Sequence, residues 1–409
     1  MPSKDRRQFI KQGLLGLTGA GLAAHSLRAI RPDSGVIPGK NRDKDTTKIL
    51  YRTLGKTGIK LPVVSMGTGD TDNPNLVRAG MDGGISLYAT SRYYGNGRNE
   101  EMMGKVIKGM ARDSYLIATS VMPSGVDHQN GLFTAESDPV KFKSEMEESL
   151  KFLGLEQVDI FLLPFAARRE SVFYEPLLRV MEEVKKEGKA KFIGIATHSY
   201  EADAIKAAAD TGIYDLVMTA YNFKHPHLDA IDNALEYAVG KGLGTIAMKT
   251  MAGVYWDEER TQPINAKAAL KWVIRNENIH TTVPGFTTFD QLQTNLSIMA
   301  DPALSEEEEK TLVPPEDSPV SSLNCSQCRV CSGQCPQSVD IPTLMRSYMY
   351  AYAYRNLGHA RQTLAFGCDG RLPCLDCEIC RVKCAGGLNI RERLLDIRRL
   401  GEVPEDFLT

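Results

Sequence analysis

Cysteine is absent from everything before Cys325; all nine cysteines fall between Cys325 and Cys384, so whatever the thiols do is confined to a separate module. A basic excess is also missing. With 49 Lys and Arg against 51 Asp and Glu and a formal net charge of -2, a basic groove for nucleic acid is disfavoured, and no nucleic-acid motif occurs. No long apolar run is present: GLLGLTGAGLAA, the most apolar part of the N-terminus, is too short and too weakly hydrophobic to make a spanning helix. A Gly-x-Gly-x-x-Gly turn is lacking too; at the end of LPVVSMGT and just beyond it come Gly67, Gly69 and then Asp72, which argues against an open dinucleotide-binding sheet. What remains is a chain of 409 residues, 42% hydrophobic and 24% charged. That suits two compact units, or one large barrel with an appendage.

The first thirty residues form a unit of their own. MPSKDRRQFIKQ carries adjacent Arg6 and Arg7 just before an apolar stretch, a pattern that looks like a twin-arginine export signal over residues 1–30. It implies the export machinery as a partner and a periplasmic location, free or anchored facing the periplasm.

From Tyr51 onward strand and helix signals alternate. A glycine-punctuated hairpin, YRTLGKTGIKLPVVSMGTG, leads into LPVVSMGT, the first of eight apolar runs; the others are ISLYAT, YLIATSV, VDIFLLP, KFIGIATH, YDLVMTAY, GTIAMKTM and HTTVPGF. Amphipathic segments such as DPVKFKSEMEESLKFLG and NAKAALKWVIRNE separate them. Eight strand and helix units need parallel pairing with right-handed crossovers, and eight strands close a (β/α)8 TIM barrel, here residues 49–300. Residues 301–322, with an acidic run and four prolines, read as a solvated linker in which the serine and glutamates could start a short helix.

Residues 323–400 hold two runs of one spacing, C-x2-C-x2-C-x3-C: Cys325, Cys328, Cys331 and Cys335, then Cys374, Cys377, Cys380 and Cys384. This resembles the bacterial ferredoxin pattern for two [4Fe-4S] clusters. By that resemblance the fourth cysteine of each run ligates the other cluster, grouping Cys325, Cys328, Cys331 and Cys384 against Cys374, Cys377, Cys380 and Cys335. Zinc would leave the regular third cysteine of each run unexplained. Between the runs, TLMRSYMYAYAYRNLGHARQTLA is helical in propensity, and its tyrosines read as packing around the clusters. The whole is an α/β barrel followed by a small, mainly helical ferredoxin-like iron–sulfur domain. A redox partner protein is implied, and a twin-arginine route, which exports folded proteins, suits a cluster inserted before export.

The hairpin YRTLGKTGIKLPVVSMGTG, the segment LYATSRYYGNGRNEEMMGKVIKG and the late TTVPGFTTFDQLQTNL together resemble the aldo/keto reductase family, in a branch carrying a ferredoxin-type tail. The resemblance implies a carbonyl/alcohol oxidoreductase acting on a small molecule, with NAD(P) as cofactor. It also implies a tyrosine proton donor flanked by an aspartate, a lysine and a histidine. The tyrosine falls on Tyr94. The aspartate falls on Ala89, the lysine on Ser120 and the histidine on Pro164, so three of the four groups are replaced.

Cofactor contacts are implied at Thr197, Tyr221, Asn222, Gly285, Thr287, Thr288 and Asn295. Where the family has polar groups for the nicotinamide, Met218 cannot hydrogen-bond, and no arginine or lysine closely follows Gly285 to hold a 2′-phosphate. Lys249 and His198 end the seventh and fifth strands, on the face where barrel chemistry occurs, and stand as the candidates to serve Tyr94. Three readings stand: an exported iron–sulfur oxidoreductase of aldo/keto reductase type with Tyr94, Lys249 and His198 catalytic, a barrel of lapsed chemistry serving as a binding platform or electron-transfer subunit, or a non-redox lyase or isomerase in the same barrel.

Overall fold

The computed structural model describes residues 49–314, 323–368, 374, 377–404 and 407. The arginine pair and the rest of segment 1–30 lie outside them. Eight short strands are observed: β1 (Met66–Gly67), β2 (Leu87–Ala89), β3 (Leu116–Ser120), β4 (Val158–Pro164), β5 (Ala190–Thr197), β6 (Leu216–Ala220), β7 (Gly244–Met248) and β8 (Thr281–Thr282). They pair in parallel in sequence order as one sheet. The sheet closes on itself where Val64 bridges Thr282 and Gly67 bridges Gly285. Burial of Val158 through Leu163 on both faces is what a barrel strand between interior and helices requires.

The run LPVVSMGT divides differently from the sequence reading. Lys60–Pro62 pairs antiparallel with Tyr51–Thr53 as a hairpin, and only Met66–Gly67 forms β1. Leu54 and Leu61 of that hairpin region pack inside the barrel with Leu87, Ile160 and Leu216. The Lys56 N–H donates to the carbonyl of Gly242 just ahead of β7, so the hairpin covers the N-terminal ends of the strands.

Helices follow the strands: α1 (Pro74–Asp82), α2 (Arg98–Ile107), α3 (Pro139–Leu153), α4 (Arg169–Val172), α5 (Glu175–Lys186), α6 (Glu201–Thr211), α7 (Leu228–Gly240), α8 (Ala266–Ile274) and α9 (Phe289–Ala300). Local signals set their ends. α3 starts where the Asp138 carboxylate accepts the Val140 and Lys141 N–H groups, with Pro139 in the first turn, and stops at Gly154 in the left-handed region. A small hairpin, Val126–Asp127 with Leu132–Phe133, is inserted between β3 and α3.

The first part of the acidic segment is docked on the barrel. A capping box on Ser305 and Glu308 starts α10 (Glu306–Lys310). The nearly buried Lys271 ammonium pairs with Asp301 at 2.8 Å and Glu308 at 3.1 Å, and Leu312 packs near Trp256. Beyond it lie α11 (Ile341–Tyr352), α12 (Leu357–Gly367) and α13 (Ile390–Arg398). These helices share a core of Ile341, Leu344, Leu364, Leu394 and Ile397, into which Cys331 and Cys368 are buried. No helix among the described residues is long and apolar enough to cross a membrane.

The tail rests on the C-terminal ends of the barrel strands. Arg329 donates to the His128 carbonyl at 2.6 Å, Arg393 pairs with Glu258, and α11 and α12 send side chains into the barrel mouth.

Candidate active site

A cavity of about 390 Å³ occupies the barrel mouth beneath α11 and α12. Its wall forms from the strand ends. Asn99, buried on α2, accepts the hydroxyls of Thr68 and Thr90 at 2.7 Å each and donates to the Thr68 and Thr71 carbonyls, tying the corner after β1 to the corner after β2. Tyr94 lies past the second corner, at the start of a tight turn in which Gly95 and Asn96 are left-handed. Its ring presses against Gly69, where an added Cβ would stand 2.7 Å from the phenol ring. Among the described residues its hydroxyl has no hydrogen-bond partner, and it faces the cavity.

Lys249 follows β7 directly. Its φ of 56° is in the left-handed region, an uncommon backbone state for a side-chain-bearing residue and one that clusters at functional sites. Its ammonium donates to the Tyr350 hydroxyl at 2.5 Å. Tyr350 in turn stacks on His359, with ring centroids 3.9 Å apart and 17° between planes. His359 Nδ1 lies 3.4 Å from Asp70 Oδ1, which also accepts from Asn356 at 3.3 Å, and the His359 ring meets that of Tyr94 edge-on at 5.5 Å.

The tail tyrosines therefore divide. Tyr350 and Tyr354 line the barrel cavity, while Tyr348 and Tyr352, half a helical turn away, pack against each other at 4.4 Å.

Electrostatics follow from burial and these partners. Burial raises the Tyr94 phenol well above its usual range and Lys249 pulls against that, so the phenol is protonated at neutral pH. Burial alone would lower Lys249; the Tyr350 and Tyr94 phenols and Asp70 outweigh it and keep the lysine charged. Burial would raise Asp70, yet the His359 hydrogen bond and the nearby Lys249 charge hold its carboxyl below the usual range. His359 is lowered by burial, against the opposing pull of Asp70. A neutral His359 beside an ionised Asp70 carries its proton on Nδ1, which leaves Nε2 as an acceptor.

The positions that the resemblance gave to aspartate, lysine and histidine are a neutral wall. Ala89, Ser120 and Pro164 all line the cavity, and the Ser120 hydroxyl is spent on Ser91 at 2.9 Å. An aspartate, a lysine and a histidine are nonetheless there, brought from β1, β7 and the tail. His198 also lines the cavity; burial, then the charges of Arg346 and Lys249, push it well below its usual value, so it is neutral. Sequence reasoning reached Tyr94, Lys249 and His198 but missed Asp70 and His359. The strand-end position of Asp70 after Gly67-Thr68-Gly69 was the only available signal.

The residues expected to hold NAD(P) scatter. Gly285, Thr287 and Asn295 line the cavity. Thr288 caps α9 by accepting the Gln291 N–H, and the Thr287 N–H goes to the Gln291 side chain at 2.8 Å. Thr197 donates to the Ser199 carbonyl, and Asn222 donates to the Lys249 carbonyl. Tyr221 is buried with its hydroxyl on Asp232 and Asn276. The Asp70 carboxylate stands 2.6 Å from where a Gly285 Cβ would be. A fixed negative charge at that glycine and an engaged Thr287 amide do not make an anion cradle, so these residues fit a dinucleotide pyrophosphate poorly.

In the tail, the Cys325 thiol is raised by burial, and Cys331, Cys384 and Cys328 stand close enough to act on it electrostatically. Cys374 is raised by burial and feels Cys377, Cys380 and Cys335 in the same way. Among the described residues no three His, Cys, Asp or Glu converge tightly enough for a single shared metal ion. A [4Fe-4S] cluster would take one thiolate on each of four irons rather than several on a single ion.

Comparison with known proteins fits this geometry. Residues 66–269 match the model of the aldo/keto reductase family. L-galactose dehydrogenase of Arabidopsis thaliana is 25% identical over 301 residues, 62% of this chain and 89% of that protein. The NADH-specific methylglyoxal reductase of Escherichia coli K12 is 24% identical over 309 residues, 60% of this chain and 92% of its own. An aldo-keto reductase from Bacillus halodurans in its holo form superposes with a TM-score of 0.52 at 20% identity, over 64% of this chain and 95% of that one, a likeness of fold. Residues 66–269 of the barrel are thus similar to the aldo/keto reductase family. The protein is an oxidoreductase, with a non-standard set of groups at its mouth.

Proposed function

We propose that the protein is an exported iron–sulfur oxidoreductase that interconverts an alcohol and a carbonyl at Tyr94. The observation that carries this reading is the gathering of Lys249, Asp70, Tyr350 and His359 around a half-buried phenol whose hydroxyl has no protein partner among the described residues. A carbonyl oxygen against Tyr94 accepts the phenol proton as it is reduced, and the Lys249 ammonium stabilises the phenolate left behind. His359, held by Asp70 in one tautomer, keeps the ring of Tyr350 in place beneath that ammonium. Reduction of a carbonyl takes two electrons and two protons: Tyr94 gives the proton on oxygen, and the hydrogen on carbon would come with the electron pair as hydride from an organic hydride carrier bound in the mouth, which the clusters would reload one electron at a time. Two [4Fe-4S] clusters on the thiol quartets of Cys325, Cys328, Cys331 and Cys384 and of Cys374, Cys377, Cys380 and Cys335 would supply storage for single electrons when bound, which makes a redox partner protein part of the reading. Nicotinamide as the reductant is weakened by Asp70 at Gly285. The barrel of lapsed chemistry draws on the neutral wall at Ala89, Ser120 and Pro164.

The test is turnover by anaerobically purified, iron-replete protein with a panel of small carbonyl compounds, using a reduced one-electron dye or NADH. Dye-driven turnover that falls roughly 100-fold or more in Tyr94→Phe supports the reading. Equal turnover in that variant removes Tyr94 from the chemistry. Turnover with NADH but not dye reverses the electron source, and reducible clusters with no turnover leave the platform. Stoichiometric zinc without iron refutes the clusters.

A further inference from the structure

The charges that line the mouth do not cancel. Asp70 accepts from His359 and Asn356, and its negative charge offsets the positive charge of Lys249, with which it interacts across the mouth. A second cation is left over. Arg346, on α11, lines the same cavity, half-buried, and its only hydrogen-bond partner among the described residues is the neutral hydroxyl of Thr343 on its own helix, at 2.8 Å. No carboxylate among the described residues pairs with it, although elsewhere in the tail Arg329 lies 3.7 Å from Asp340 and Arg393 pairs with Glu258. Its guanidinium sits 6.0 Å from the Phe165 ring, at the cavity wall, and its charge reaches Tyr93, His198 and His359. Tyr93 and His359 are the rings that flank Tyr94, at 6.1 and 5.5 Å. Arg346 is thus one side chain removed from the phenol.

A half-buried guanidinium with a planar fork and no acidic partner is expensive unless an anion completes it. One unpaired positive charge calls for one negative charge. We infer that the substrate is a monoanion whose carboxylate is received by Arg346 while its alcohol or carbonyl carbon lies against Tyr94: a hydroxy acid or keto acid of a size to fill the mouth, such as a sugar acid. A carboxylate takes the fork in two parallel charge-assisted hydrogen bonds. The inference rests on the reading of Tyr94 as the reacting end for its second half only, since the anion site stands on Arg346 itself.

Binding separates the two halves. Titration calorimetry on the full-length, iron-replete protein compares glucuronate with glucose, and lactate with propane-1,2-diol, each pair alike but for the carboxylate. The expected result is tighter binding of the anion in at least one pair, weakened by added salt, with the preference reduced roughly ten- to a hundredfold in Arg346→Gln and partly restored in Arg346→Lys. Hydrogen exchange of residues 341–367 in each variant verifies that the tail stays docked. Equal binding within both pairs, no binding by either anion, or an anion preference unchanged in Arg346→Gln overturns the inference. Glucose 6-phosphate binding more tightly than glucuronate overturns the choice of carboxylate. Anion binding through Arg346 in a protein that turns nothing over would leave this site standing and refute the Tyr94 reading alone.

Discussion

The barrel and the cysteine tail differ in what their cores are made of. The barrel buries aliphatic side chains in two shells, one between sheet and helices and one inside the strands, and contains no cysteine. The tail has one small core, in which thiols take places that Leu and Ile would fill, and Cys325, Cys335, Cys374 and Cys384 pack against its margin. An apolar interior of barrel size is self-sufficient, whereas a domain this small needs a staple. Yet the two are not independent at the mouth. Tyr350 and His359 belong to α11 and α12, the segment strung between the two cysteine runs, so whatever orders the tail also completes the barrel's site.

Removing the proposed clusters is the harshest way to break that comparison. Chelation under reducing conditions should abolish turnover while leaving the barrel folded. Hydrogen exchange should lose protection over residues 341–367 and keep it over Val158–Pro164. Equal loss in both would mean that the barrel leans on the tail for its fold. Lys249→Met strikes the contact from the barrel side. Turnover should fall about 100-fold with the melting temperature little changed, because the lysine's partner is a neutral hydroxyl and its charge is needed when the phenolate forms. A variant that loses stability instead would make Lys249 a strut for Tyr350.

The smallest effect concerns the barrel alone. Glu100 is fully buried on α2, accepts from the Thr119 hydroxyl at 2.6 Å, and is pushed by burial up to about 7. Its folded value lies above the ordinary carboxylate value of about 4.3, so the folded state holds the proton more tightly. Stability should therefore fall as pH rises between those values and level off above 7. Glu100→Gln should remove that fall and gain up to roughly 3 kcal/mol at pH 8, with less gain at pH 5, in denaturant titrations followed through the barrel.

Legibility in the sequence tracks the distance over which an element is determined. VDIFLLP gives β4 residue for residue, because a continuous apolar run flanked by helical patterns has one interpretation. LPVVSMGT misleads because Pro62 closes a hairpin whose partner is Tyr51. The Val126–Phe133 insertion carries too little apolar pattern to announce itself. At the mouth, Tyr94 and Lys249 were readable from strand ends. Asp70 meets His359 across 289 residues of chain, and nothing local to either residue foretells that meeting. Only the docking of the tail joins them.

The loop after β7 extends that dependence from side chains to backbone. Lys249, Ala252 and Val254 all have positive φ, at 56°, 49° and 73°, and for a β-branched residue such as Val254 this is a genuine outlier. The tail holds the loop in this state: Asn324 packs over Gly253, Arg260 donates to the Tyr352 carbonyl at 3.2 Å, and Arg393 grips Glu258. The barrel and its tail therefore behave as a single inherited part. A gene that parted with the tail would keep the fold and lose the shape of the loop that presents Lys249, and a tail transplanted to another barrel would find no such loop to hold.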